Sequence, residues 1–322
     1  MDMMENLVSP VTHNKAVRLW GRIEKEDIIR LYKDQLGYDA SRYFTGVDHV
    51  SIYECLDTGY RFYYPYTLEG DARFYEDLQN LKETGGDDYY RHWEYDHRFA
   101  YEHIQAGDAV LEIGCGTGSF LKKLKEKTDK ACGLELNRNA VKQCRENGLD
   151  VYGELVQVHA GKRKEYYDVV CAFQVLEHIT AVKEFLDACL TVLKPGGKLV
   201  FGVPNNEPYY QRWDKYATLN LPPHHVGLWS PKAFAGLERF FPVKLSARAY
   251  DAPGRWKSDA YLHTKHWLGI KTLPRTHTLT EKLLMLSLAP LAVPLSIYRQ
   301  VSTEIPGAYI VVMFEKTGSE PA

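Results

Sequence analysis

The chain has 322 residues, room for two domains at about 150 residues each, and its 40 Lys+Arg nearly balance 42 Asp+Glu for a formal charge of −2. That balance excludes the strongly basic face that holds proteins to nucleic-acid phosphates. A 45% hydrophobic share with 25% charged residues excludes extended disorder. Six cysteines, none in a CxxC pair, predict buried reduced thiols, with no disulfide framework and no metal site. The N-terminus has no basic stretch ahead of an apolar core, so no signal peptide is expected and a cytoplasmic location is.

Residues 1–86 read as a small α+β lobe without metal. In it, residues 23–37 place Ile23, Ile28, Leu31, Tyr32 and Leu36 on one helical face. Residues 50–57 and 60–66 read as two strands joined through Thr58-Gly59, and 71–83 as an amphipathic helix ended by Gly85-Gly86. Many of the 23 tyrosines crowd this region; with apolar faces and hydroxyl tips they suit binding surfaces and half-buried junctions.

Residues 87–322 read as a second domain. A helix over 87–104 leads into alternating strands and helices: strands at 109–116, 131–137, 151–155, 166–176 and 198–205, with helices at about 119–128, up to 146, and 180–193. This alternation of apolar strands with helices predicts an α/β fold with a doubly wound, mostly parallel sheet. A long loop, 205–230, follows the fifth strand, and loops of that length in compact domains are usually functional. Then come a helix at 231–241, a strand at 243–250, an insertion at 251–306 and a last strand at 308–316. Within the insertion, 283–298 carries no charge but is too short to span a bilayer, leaving peripheral membrane contact as an expectation.

The densest chemical signal is Glu112-Ile113-Gly114-Cys115-Gly116-Thr117-Gly118 at the first strand-to-helix junction. Such glycines let the backbone turn tightly and approach a ligand, with a helix N-terminus following. Glu135 ends the second strand, where a carboxylate can accept both hydroxyls of a ribose. A dinucleotide fingerprint would need a third glycine where Ser119 stands. Glu112 would repel a pyrophosphate and suits a cationic ligand, which disfavours a nicotinamide oxidoreductase.

The run LEIGCGTGSF, then GLELN, FQVLEHI and LKPGGKLVFGVPN, resembles the class I S-adenosylmethionine (SAM)-dependent methyltransferases. The resemblance covers roughly 105–250 plus 308–316. It implies a seven-stranded Rossmann-like sheet with an antiparallel last strand, SAM as cofactor and S-adenosylhomocysteine (SAH) as product. It places Gly114, Cys115, Gly116 and Gly118 against the methionine portion, Glu112 near its amino group and Glu135 with Leu136 at the ribose. Glu154 would stand on the adenine side, and Phe173, Gln174 and Val175 beside the sulfonium. Tyr90 and Trp93 would form an aromatic lid, since ring faces attract cations. The N-terminal lobe is similar to one on sugar-modifying and polysaccharide-associated methyltransferases. The CPxC zinc motif often found there is replaced by Ser9-Pro10-Val11-Thr12.

Displacement at a sulfonium needs no acid, and a base helps when the acceptor is a hydroxyl. The base candidates are His178, just after the fourth strand, and His224 and His225, in a loop stiffened by Pro222-Pro223. The expected activity is O-methylation of a sugar or glycan hydroxyl, with a small-molecule or glycan acceptor and no nucleic-acid partner. An N-methyltransferase of an amino sugar, a methyltransferase of a lipid or secondary metabolite, and a non-catalytic SAM-fold scaffold are the alternatives.

Overall fold

The computed structural model describes residues 7–84, 94–207, 217–251 and 307–318, with isolated helical positions between 280 and 294. The N-terminal region opens with strand β1 (Val17–Glu24), helix α1 (Lys25–Leu36), strands β2 (His49–Cys55) and β3 (Arg61–Tyr64), and helix α2 (Ala72–Thr84). Helix α1 therefore starts later than its apolar pattern suggested. Ile23 belongs to β1, a strand the pattern missed, whose outward face is exposed and whose alternation is interrupted by a bulge between Leu19 and Gly21. Helix α1 buries Ile28, Leu31 and Tyr32 and ends at Gly37 with φ 70°, where a side chain would be strained.

Helix α3 (Tyr95–His103) is capped by a reciprocal bond pair between Glu94 and His97. The second layer then runs β4 (Val110–Ile113), α4 (Ser119–Leu124), β5 (Ala131–Leu134), α5 (Arg138–Glu146), β6 (Asp150–Tyr152), α6 (Val156–Ala160), β7 (Tyr167–Phe173), α7 (Val182–Val192) and β8 (Leu193–Pro204). After the loop come β9 (Gly227–Leu228), α8 (Pro231–Gly236), β10 (Val243–Tyr250) and β11 (Tyr309–Lys316). The short helix α6 was not anticipated, and β8 begins at Leu193, ahead of the strand expected at 198–205.

The large sheet has the order β10-β11-β8-β7-β4-β5-β6, with β4 to β8 parallel and β11 antiparallel to both its neighbours. This is the seven-stranded, doubly wound arrangement expected. Its β4 sits where the order reverses, the place where open α/β sheets bind ligands at strand C-termini.

The smaller sheet has the order β1-β2-β3-β9, and β9 comes from the loop after β8. Arg61 pairs with Leu228 and Phe62 with Gly227. A side chain at Gly227 would lie 2.2 Å from the Tyr60 hydroxyl, so only glycine permits this approach. One apolar core runs through both sheets, including Tyr53, Tyr60 and Phe62 together with Leu111, Val170, Phe201 and the fully buried Trp229. All six cysteines are buried and free. Among the described residues no helix is long and apolar enough to cross a membrane. Most of the uncharged segment 283–298, including its charged flanks, lies outside the described residues.

Candidate active site

A cavity of about 1270 Å³ opens at the C-terminal ends of β4, β5 and β7 and extends toward the N-terminal lobe. Its first wall is the turn after β4. Gly114 has φ 72°, and a Cβ there would lie 2.4 Å from Val175 Cγ2, so the backbone comes closer to the β7 end than any side chain allows. Gly114 N–H and Cys115 N–H both donate to Leu134 O, at 2.8 and 3.1 Å, pinning the turn to β5. Gly118 does not line the cavity. It is the N-cap of α4 at φ 77°, packed against Leu149 and Cys144, so its role is to shape the turn from behind.

Glu135 closes the second wall. Its Oε2 accepts from Gly116 N–H at 2.9 Å and its Oε1 from Asn137 N–H at 2.8 Å. These bonds fix the carboxylate while each oxygen keeps a lone pair for a ligand hydroxyl. Asn137 in turn caps α5 through Asn139 and Ala140 N–H. Leu136 is exposed over this wall, and Glu154 lines it while binding His159 at 2.8 Å and Lys162.

Glu112 lies inside β4 and is almost fully buried, yet lines the cavity. Its Oε2 meets no hydrogen-bond partner among the described residues. Burial, followed by the nearby Cys144, Glu135 and Asp96, pushes its carboxyl well above the usual range. A buried carboxylate lacking a partner is costly on its own and is relieved by a cationic ligand group. Phe173, Gln174 and Val175 form the floor, and His97 of α3 packs on Phe173 and Phe120 at centroid distances of 4.7 and 5.3 Å. Gln174 sits at φ 56°, a left-handed conformation costly for a residue with a side chain and concentrated at functional sites. Tyr90 and Trp93, the expected lid, lie outside the described residues.

The opposite end of the cavity holds His178, His224 and His225, three candidates separated in sequence and adjacent in space. Ring centroids are 4.8 Å apart for His178–His224 and His178–His225, and 4.5 Å for His224–His225. Burial lowers the pKa of His178 to about 4, opposed by the His224 and Gln174 carbonyls, and lowers that of His225 well below the usual value. Both rings are therefore neutral at neutral pH and poor proton acceptors in isolation. Desolvation disfavours the charged forms of both rings, His225 being buried and His178 half-buried beside it. Their neighbour Glu177 is also buried, with Oε1 3.9 Å from His225 Nε2.

The N-terminal lobe holds this end in place. Tyr32 OH donates to Leu221 O at 2.8 Å and accepts from His224 N–H at 3.3 Å. Tyr63 OH donates to Asn220 O at 3.1 Å, and Tyr75 OH lies 3.2 Å from His178 Nδ1. Gln35, Tyr75 and Gln79 of the lobe line the cavity with Thr218 and Asn220 of the loop. Sequence reading missed these residues and Glu177. The crowding of tyrosines was the available signal, but it did not say which ones meet the loop.

The comparisons agree with this geometry. Residues 88–238 match the family model described as "Methyltransferase domain". Those residues form a class I SAM-dependent methyltransferase domain. The chain is 28% identical over 183 residues to the ubiquinone biosynthesis O-methyltransferase of Stutzerimonas stutzeri, covering 54% of this chain and 73% of that protein. It is 26% identical over 179 residues to the protein of the same name from Klebsiella pneumoniae, covering 53% and 69%. In fold it is similar to a chain of the complex between the Haloferax volcanii Trm112 methyltransferase activator and a methyltransferase. There the TM-score is 0.50 at 13% identity, covering 78% of this chain and 99% of that one. The enzyme uses SAM and yields SAH, and the site fits that cofactor: a glycine turn open to the ligand, a fixed carboxylate for the ribose and a buried carboxylate for a cationic group.

Proposed function

We propose that this methyltransferase acts on a hydroxyl of a sugar or glycan. Bound SAM supplies an electrophilic methyl on a sulfonium and departs as a neutral thioether. The chain's own residues then have two tasks: to hold the acceptor oxygen in line, and to draw off its proton. The observation that carries the reading is the three-histidine cluster sharing one cavity with the Gly114 turn and Glu135. An unprotonated amine needs no base to accept a methyl group, whereas a hydroxyl must shed a proton as it is methylated. The amides of Gln35, Gln79 and Asn220 and the hydroxyls of Thr218 and Tyr75 supply the mixed donors and acceptors that a polyol requires.

A second reading, methylation of a phenolic hydroxyl, is favoured by the O-methyltransferases named above. Transfer of labelled methyl from SAM to a panel of free and nucleotide-linked sugars, run beside catechols, separates the two. Turnover on sugars with none on catechols supports the first; the reverse replaces it with the second; transfer to amines alone removes both.

A further inference from the structure

We propose that His178, His224 and His225 form a binding site for one divalent cation of the zinc class, at the acceptor end of the methyltransferase cavity. The inference deepens the reading above and rests on it only for what the cation does to an acceptor; the binding itself stands on the geometry of the cluster.

One ring nitrogen from each histidine lies within 4.8 Å of those of the other two. Zinc–imidazole bonds of about 2.0–2.1 Å at tetrahedral angles place ligand nitrogens about 3.4 Å apart. The nitrogens therefore need to close by up to about 1.4 Å, a change that side-chain torsions absorb. The hydrogen bonds around the rings point the same way. His178 Nδ1 lies 2.5 Å from His224 O, and His224 Nδ1 lies 2.8 Å from Leu219 O. His225 Nδ1 lies 3.1 Å from Asn220 Oδ1. A carbonyl oxygen can only accept, so each Nδ1 carries the proton. The Asn220 amide is oriented for this by its own NH₂, which donates to Asn206 Oδ1 at 2.7 Å. The neutral His225 ring is thereby left with its lone pair on Nε2, the nitrogen beside Glu177, while His178 also meets the Gln174 carbonyl. Holding one ring nitrogen on a carbonyl oxygen is how metal-binding histidines are oriented.

The surroundings supply charge and rigidity. The Glu177 carboxylate, fully buried next to His225 Nε2, offsets part of a cation's charge. The His178 and His225 segments are tied together by Val226 N–H donating to Glu177 O at 2.9 Å. All three histidines and Glu177 line the cavity, so a fourth coordination position faces the space the acceptor would enter. Imidazole donors favour Zn²⁺, Co²⁺ and Fe²⁺ over Mg²⁺ and Ca²⁺. A hydroxyl ligated there loses its proton far more readily than in water, because the cation stabilises the resulting oxyanion. The cysteine spacing that argued against metal in the sequence is silent on this site, since His178 and the histidine pair are distant in the chain.

The test is equilibrium dialysis of the purified full-length chain against Co²⁺, read by metal content and by visible absorption of the bound ion, with SAH affinity measured by calorimetry on the same samples. One cobalt per chain is expected, displaced by Zn²⁺ and lost in His224→Ala and His225→Ala while SAH affinity stays within about twofold. Glu177→Gln should weaken cobalt binding about 10-fold, as loss of an outer partner does. If the buried His225→Ala chain does not fold, His178→Ala takes its place. Absence of bound cobalt in wild-type protein that binds SAH overturns the site, as does cobalt retained by the folded histidine variants. Cobalt bound at one equivalent without methyl transfer to any hydroxyl upholds the site and removes the acceptor reading instead.

Discussion

The two ends of the cavity are built on different principles. The cofactor end comes from neighbouring strand ends of one sheet, chiefly the β4 turn and the end of β5 with the β7 end as floor, and is held by backbone amides donating to Leu134 O and Glu135. The acceptor end is assembled from parts far apart in the chain: Tyr32 meets Leu221 across 189 positions, and Tyr63 meets Asn220 across 157. A local site keeps its shape through the strand-to-helix turn that forms it. A composite site keeps its shape only while two sheets stay docked, so perturbations at the two ends should separate into loss of cofactor and loss of turnover.

The largest effect is expected from Glu135→Ala. It removes the ribose acceptor and frees Gly116 and Asn137 N–H, so calorimetry should show SAM and SAH affinity falling about 100-fold, or about 2.7 kcal/mol. Retained affinity would break the division between the ends. Next, Tyr32→Phe should lower kcat about 10-fold while leaving SAH affinity within twofold. It leaves the buried Leu221 carbonyl and the His224 N–H without their shared hydroxyl, at a stability cost of about 1–3 kcal/mol measurable by urea unfolding.

The third prediction sharpens the cofactor side through pH. The folded-state pKa of Glu112 is raised, so the ligand-free native state holds a proton that the unfolded chain releases. Stability must then fall as pH rises from the ordinary carboxyl range toward the raised value. Glu112→Gln removes this penalty, so its unfolding midpoint without ligand should exceed that of wild type increasingly from about pH 5 to pH 8, while SAM affinity drops. A pH-independent difference would show that Glu112 is not the titrating group. The smallest effect is expected from Tyr63→Phe, about 1 kcal/mol of stability with a fewfold loss in kcat and none in SAH affinity.

The same division governs what could be read from the sequence. The alternation of strands and helices, the Gly114 turn and Glu135 are local patterns found in the structure, and the antiparallel β11, which the resemblance implied, is found there too. The cluster of His178 with His224 and His225 also contains the candidates named from sequence, yet their adjacency, and the desolvation that lowers the pKa values of His178 and His225, is not written in a loop's own residues. Gly118 illustrates a related limit. Spacing says that a glycine is required, and only the position of Leu149 and Cys144 says whether the requirement comes from ligand or from packing. Strand β9, two residues long, has too little periodicity to be seen at all.

That short strand has a consequence for how such enzymes can be recombined. Because Gly227–Leu228 completes a sheet begun by β1, β2 and β3, a crossover point at the end of the lobe would graft a foreign edge against the wrong loop. A working chimaera must exchange the lobe and residues 217–230 as one cassette, leaving the cofactor half in place. New acceptor ranges would therefore be inherited as a matched pair of distant segments, and a survey of transplants should find that neither half functions without its mate.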